Sequence, residues 1–171
     1  MTVAFRVETR LAAPPARAFD LSLDIDAHER SLAGTGERAV GGVTSGAIGL
    51  GETVTFRARH LGVVWRLTSR ITALEAPHRF VDEQVRGPFA HFRHEHRFEP
   101  TADGTRMVDE ITFRAPFGPL GRLAEVLVLA RYLPRVIRAR NAVLAEELGG
   151  PGSAVRGAGR SRRRGSGSVS R

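Results

Sequence analysis

The chain has no cysteine and no lysine. Without thiols it can form no disulfide, no thiolate metal site and no cysteine nucleophile, which allows a reducing cytoplasm and makes a cytoplasmic location the expectation. The absence of lysine removes Schiff-base chemistry. All 26 basic residues are therefore arginine, a bias that a GC-rich coding sequence produces by itself. Long hydrophobic runs are missing too. The longest, Leu123 to Leu133, is broken by Glu125 and Arg131 and falls short of the ~20 residues that a membrane-spanning helix needs. Arg6 and Glu8 stand where a secretory signal requires an apolar stretch, so neither export nor a membrane span is expected.

What remains is an ordinary globular composition, 42% hydrophobic and 26% charged over 171 residues, enough for one core. The net charge of +8 is unevenly placed. Residues 151–171 hold six arginines and no acid, and removing those six charges from the total leaves +2 for residues 1–150. A basic groove for nucleic acid is thus not implied for the folded part. We expect one domain over residues 1–149 and a disordered Arg/Gly/Ser-rich tail over 150–171, which has nothing apolar to bury. Clustered arginines attract polyanions or an anionic membrane weakly, but without interleaved aromatics the tail has no means of specific nucleic-acid recognition. A solvated extension is the plainer reading.

Residues 3–10 alternate apolar and polar, which predicts a half-buried strand. Pro14 and Pro15 then open a short helix through Phe19 and Leu23, with a second near Asp26 to Leu32, because proline suits a first helical turn. Glycines crowd residues 34–51 and leave only a short strand near 37–40. Strands follow at about 52–60, 63–73, 79–86, 89–99 and 106–115, separated by Leu61-Gly62, Glu75-Ala76-Pro77, Gly87-Pro88 and Asp103-Gly104. Connections this short force antiparallel neighbours. After Pro119 the period becomes helical, with Leu120, Leu123, Leu127, Ala130, Ile137, Leu144 and Leu148 on one stripe and Arg131, Arg135 and Arg138 opposite. Pro134 predicts a kink and Gly149-Gly150-Pro151 an end. The fold class is therefore α+β: a curved antiparallel sheet of six or seven strands around a long C-terminal helix.

Alternation also says which side chains share the concave face. A two-residue Asp103-Gly104 turn pairs Phe98 with Asp109, His96 with Ile111 and His94 with Phe113, and sets Arg97 against Glu110 outside. The Leu61-Gly62 turn pairs Ala58 with Trp65, Phe56 with Leu67 and Val54 with Ser69. The inner face then carries Phe56, Trp65, Leu67, Phe80, Phe92, Phe98, Ile111 and Phe113, yet also Glu52, Asp82, Gln84, His94, His96 and Asp109. Burying each polar group without a partner costs about 1–3 kcal/mol. They must either satisfy one another or line a ligand-filled space.

Gly87-Pro88-Phe89, Phe92-x-His94-x-His96-x-Phe98, Gly104-Thr105-x-Met107-x-Asp109, Pro116-x-Gly118-x-Leu120-Gly121 and Arg140-Asn141-x-x-Leu144 together resemble the SRPBCC superfamily, also called START-like or Bet v 1-like. Within it the chain is most similar to bacterial polyketide cyclase/dehydrase-like members, over residues 3–148. The resemblance implies a helix-grip fold with a deep cavity between helix and sheet. It does not settle function, since the superfamily spans carriers, hormone binders, aromatase/cyclases and chaperone activators.

Three chemistries suit the inward residues. The first is binding of a small hydrophobic molecule, such as a polyketide, quinone, lipid or aromatic metabolite. Phe56, Trp65, Phe92, Phe113, Leu123, Leu127 and Ala130 would form its walls, and His94, His96, Asp82 and Asp109 would orient it. The second is acid/base catalysis by a cyclase or dehydratase, with His94 and Asp82 as the couple, because the Gly87-Pro88 turn brings them roughly opposite. The third is a metal site on the H-x-H pair. That pair alone is a weak signal, aromatic neighbours crowd it and Asp109 falls opposite Phe98, so no metal or other cofactor is expected. The plain alternative to all three is a satisfied internal hydrogen-bond network. His28, His60, His78 and His91 fall at loops, strand ends or outward positions and are assigned no role.

Overall fold

The computed structural model describes residues 2–116 and 129–149. Seven strands form one antiparallel sheet: β1 Val3–Leu11, β2 Arg38–Gly42, β3 Thr53–His60, β4 Val63–Glu75, β5 Arg79–Arg86, β6 His91–Thr101 and β7 Gly104–Arg114. Their order is β1-β7-β6-β5-β4-β3-β2. From β3 to β7 each strand pairs with its successor, as the short turns require. The chain must cross from the β1 edge to the β2 edge, and α1 Pro15–Leu23 and α2 Ile25–Ser31 make that crossing.

Local sequence accounts for both short helices. Pro15 occupies the first turn of α1, where its missing N–H costs nothing. Asp24 caps α2, its Oδ1 accepting from the Ala27 N–H at 2.7 Å. Replacing Asp24 by alanine leaves that donor unsatisfied and is expected to cost about 1 kcal/mol, read as a lower urea midpoint at unchanged slope. In the glycine-rich segment, β2 carries a bulge between Ala39 and Gly41. The chain then returns so that Ile48 is buried.

The hairpin of β3 and β4 has the register expected: Ala58 opposite Trp65, Phe56 opposite Leu67, Val54 opposite Ser69. The hairpin of β6 and β7 does not. Its two connecting residues are Ala102 and Asp103, since Thr101 already pairs with Gly104, so His96 faces Asp109, His94 faces Ile111 and Phe98 faces Met107. Gly104 lies in the strand instead, paired with Thr101, and the position requires glycine because its φ is +143° and a Cβ there would collide with the Leu11 carbonyl oxygen. The slip is two residues, one full pleat, so every side chain stays on its expected face. The Arg97–Glu110 pair survives as a diagonal contact of 2.5 Å.

Helix α3, Ala130–Gly149, lies across the sheet with Pro134 inside it. Leu144 and Leu148 join Phe19, Phe98, Met107 and Leu11 in the core. Phe19 packs edge-on against Phe80 and Phe98, at ring-centroid distances of 5.7 and 5.5 Å. The earlier turns of α3 do something else: Tyr132, Leu133, Val136 and Ile137 border an open cavity. The long helix thus seals the core with one half and roofs a hollow with the other. On the outer face, Glu95 is buried beneath Arg79, Arg93 and Arg97, at 2.7, 2.6 and 3.0 Å. Burial pushes its carboxyl up, but the three guanidinium hydrogen bonds outweigh it and hold it at about 2.

Candidate ligand cavity and its polar end

The cavity between α3 and the concave sheet measures about 520 Å³, within the range of small-molecule sites. Phe56, Trp65, Phe92, His94, His96 and Asp82 all border it. Trp65 is 41% exposed and stands at its mouth. Asp109, Phe113 and Ala130 do not border it, contrary to expectation. Phe113 is fully buried against Phe5 and Phe89 instead, and Asp109 lies behind the histidines. Glu52 is exposed, its carboxylate accepting from the Gly49 N–H, so the alternation expected to carry it inward does not extend past Thr53. Gln84 is tied to Phe89, donating to its carbonyl and accepting from its N–H, and so holds the 87–90 loop. Leu123 and Leu127 lie outside the described residues.

The polar end is built around Asp109, which is wholly buried. Its Oδ1 is 2.8 Å from His94 Nε2 and 2.9 Å from His96 Nδ1, the second contact lying off the hydrogen-bond axis. Its Oδ2 accepts from Asn141 Nδ2 at 2.6 Å, and Asn141 also reaches Thr9 Oγ1. Arg140 places Nη1 3.9 Å from Asp109. On the cavity side, Asp82 pairs across the strands with His94, but its Oδ2 lies nearer His96 Nε2, at 3.3 Å, than His94 Nδ1, at 3.8 Å. The two imidazoles lie face to face with centroids 3.7 Å apart, and Phe80 stacks on His96.

This packing drives neighbouring groups in opposite directions. Burial, reinforced by the adjacent His96, pulls His94 down to about 4, so it is neutral. Burial acts on His96 as well, but contacts with Asp109 and Asp82 outweigh it and raise the imidazole above its ordinary value. Asp109 is held well below the carboxylate range, because its histidine contacts overcome a large burial penalty. The expected His94–Asp82 couple is thus rearranged: Asp109 is the tight partner of His94, and Asp82 belongs mainly to His96.

A second polar group borders the same cavity. Glu37, buried at 7% exposure, accepts from or ion-pairs with His28 Nε2 at 2.7 Å and lies 3.9 Å from His60 Nε2. His60 Nδ1 is 2.8 Å from the Tyr132 hydroxyl, and His28 stacks on Phe56. His60 does fall at the end of β3, while His28 lies within α2 rather than in a loop, and both border the cavity. Tertiary folding of α2, β2, β3 and α3 collects residues that no single strand pattern links.

Arg140 has a further feature. It is 3% exposed, it borders the cavity, and its Nε has no hydrogen-bond partner among the described residues.

A seven-stranded antiparallel sheet gripping a long C-terminal helix over an internal cavity defines the helix-grip class. Residues 2–149 match the family model described as polyketide cyclase / dehydrase and lipid transport. The chain belongs to that family. No curated protein sequence matches it significantly. Among solved structures it is similar to the Zhui aromatase/cyclase from Streptomyces sp. R1128, at 16% identity and TM-score 0.70, covering 86% of this chain and 94% of that one. The protein TTHA0849 from Thermus thermophilus is similar at 19% identity and TM-score 0.67, over 83% and 97%. Ara h 8.0201 shares the fold at 15% identity and TM-score 0.56, over 84% and 98%. Among the described residues, no helix is long and apolar enough to cross a membrane.

Proposed function

We propose that this protein binds a small, mainly apolar molecule bearing an oxygen-rich end, of the polyketide, quinone, lipid or aromatic-metabolite kind, in the cavity beneath α3. The observation that carries this is Arg140. A buried donor without an acceptor costs about 1–3 kcal/mol, and an oxygen of a bound molecule recovers that cost where the apolar walls meet the Arg140 guanidinium. Family membership supports the reading. The test is direct. Protein purified from its native host is examined by native mass spectrometry for a bound small molecule, and lipophilic dyes carrying a carboxylate or phenol are titrated into it. We expect retained mass or saturable dye binding, and Arg140→Met should weaken an oxygenated dye roughly tenfold or more while a neutral hydrocarbon dye changes little. Absence of any bound molecule together with failure of both dyes overturns the proposal.

A second reading is a cyclase or dehydratase. It is favoured by one observation, that the adjacent imidazoles of His94 and His96 are pushed in opposite directions from their ordinary value, the pattern by which one group accepts a proton and its neighbour donates. On this reading His96 is the donor, braced by Asp82 and Asp109. His94 and Asp82 take part as its cavity-side neighbours. Incubation with short β-polyketone surrogates should then yield a cyclised or dehydrated product that disappears in His96→Gln while dye binding persists. If no product forms with the wild-type protein, binding stands alone.

A further inference from the structure

We infer that Asp82, His94 and His96 form a binding site for one divalent transition-metal ion of the zinc type, with its open coordination position facing the cavity. Only the polar end is involved, whichever molecule fills the rest of the cavity.

The two imidazole rings are oriented by what lies behind them. Asp109 takes the far side of both, Nε2 of His94 at 2.8 Å and Nδ1 of His96 at 2.9 Å. The ionised Asp109 carboxylate can only accept, so His94 Nε2 carries the proton and its lone pair lies on Nδ1. His96 Nδ1 makes no hydrogen bond, and an ion at the site would take the place of the proton that His96 Nε2 shares with Asp82. His94 Nδ1 and His96 Nε2 lie 3.8 and 3.3 Å from Asp82 Oδ2, and one ligand atom from each of the three residues falls within 4.8 Å of the others. A histidine that donates one nitrogen to a carboxylate and offers the other to a shared point is the usual construction of a metal ligand with its supporting partner. Here Asp109 supports His94 in that way and lies 2.9 Å from His96 Nδ1. Asn141, donating to the other oxygen of Asp109 at 2.6 Å, fixes the support in turn.

The distances also suit a metal. Charge-assisted hydrogen bonds run about 2.7–2.9 Å, which the His94–Asp109 contact satisfies. Of the Asp82 contacts, that to His96 Nε2 is a long hydrogen bond of 3.3 Å and that to His94 Nδ1, at 3.8 Å, is none. Two donors bound at about 2.0–2.2 Å to a common tetrahedral ion are separated by about 3.3–3.5 Å, so one Asp82 separation already fits and the other needs only a small rotamer adjustment. Charge agrees as well. With neutral imidazoles, Asp82, Asp109 and Arg140 sum to one negative charge, which a dication reverses and an anionic oxygen at the open position then neutralises. Two nitrogens and one oxygen suit zinc and its neighbours in the first row rather than magnesium or calcium. The chain contains the more accessible histidine cluster of His28, Glu37 and His60, but there Glu37 holds His28 Nε2 at 2.7 Å and the Tyr132 hydroxyl engages His60 Nδ1 at 2.8 Å.

The experiment uses the full chain without an affinity tag, stripped with chelator and dialysed. Zinc is titrated calorimetrically, and cobalt(II) is followed by visible absorption as a report on coordination. We expect one equivalent bound, with the intense bands of a four- or five-coordinate nitrogen/oxygen site. Asp82→Asn, which keeps the side-chain shape, and His94→Ala should each weaken binding roughly tenfold or more, while Glu37→Gln should leave it unchanged. Circular dichroism checks that each variant is folded. Absence of stoichiometric binding by the wild-type protein overturns the inference, and so does binding that survives in Asp82→Asn but is lost in Glu37→Gln.

Discussion

Asp109→Ala is expected to be among the most damaging single substitutions in the domain, at about 3–5 kcal/mol. The carboxylate is 0% exposed and is shared by His94, His96 and Asn141, with Arg140 close behind. Deleting it does not merely remove attractions. It strands two buried imidazoles and a buried guanidinium without the carboxylate they share, and it leaves an amide N–H without one of its acceptors, in surroundings where each orphan is penalised. Against a typical total stability of about 5–15 kcal/mol, the variant should unfold at a much lower urea concentration with the slope unchanged. Asp82→Ala gives the contrast. Its side chain is 19% exposed and its histidine contacts are 3.3 and 3.8 Å, so water can replace it, and its cost should be less than half as large. Equal costs for the two variants would mean that Asp109 is not the centre of the cluster.

The contrast between those two acids shows what strand alternation can and cannot reveal. Alternation places both on the concave face from the residues alone, and it does so even though the β6–β7 register is two residues from the one that Asp103-Gly104 suggests. The period of the side chains is also two, so the face is insensitive to that slip. Which acid serves which histidine is sensitive to it. Moving Asp109 from opposite Phe98 to opposite His96 turns a diagonal neighbour into a shared counter-ion. It also removes the main objection that spacing alone raises to joint action by His94 and His96.

Other parts of the site leave no trace in any local pattern. Arg140 and Asn141 sit on a helix whose other arginines, Arg131, Arg135 and Arg138, are not buried. Nothing in a 3.6-residue period distinguishes an arginine that faces water from one that answers a buried aspartate on a distant strand. Their only signal is the Arg140-Asn141-x-x-Leu144 spacing with Leu144, which packs in the core. Glu37 and His28 are similar. They lie beside glycine-rich chain whose path is set by the bulge at Ala39–Gly41 and the bridge between Asp24 and Ala47, and those are tertiary events.

The pH dependence of the metal-free protein follows from the same cluster, and its sign differs between the two histidines. His94 is held at about 4 in the fold against 6.5 when exposed. Unfolded chains therefore take up a proton near pH 6.5 that the native protein refuses, and stability falls as pH drops from about 6.5 to about 4. The loss is about 3 kcal/mol when complete. His60, lowered by burial, acts in the same direction. Below that range Asp82 and Asp109, both depressed in the fold, add to it, because the unfolded carboxylates protonate first. His96 works the other way. Its folded value is raised, so its contribution is complete below 6.5 and is lost as pH climbs through the folded value. Stability should thus peak near neutrality, with a steeper fall on the acid side. Imidazole resonances followed by nitrogen-15 NMR after chelation should show His94 neutral at pH 5 and His96 losing its proton at a pH above the ordinary imidazole value. Two rings titrating together near 6.5 would mean that neither is held by Asp109 as described, and both the stability peak and the division of roles between them would go with it.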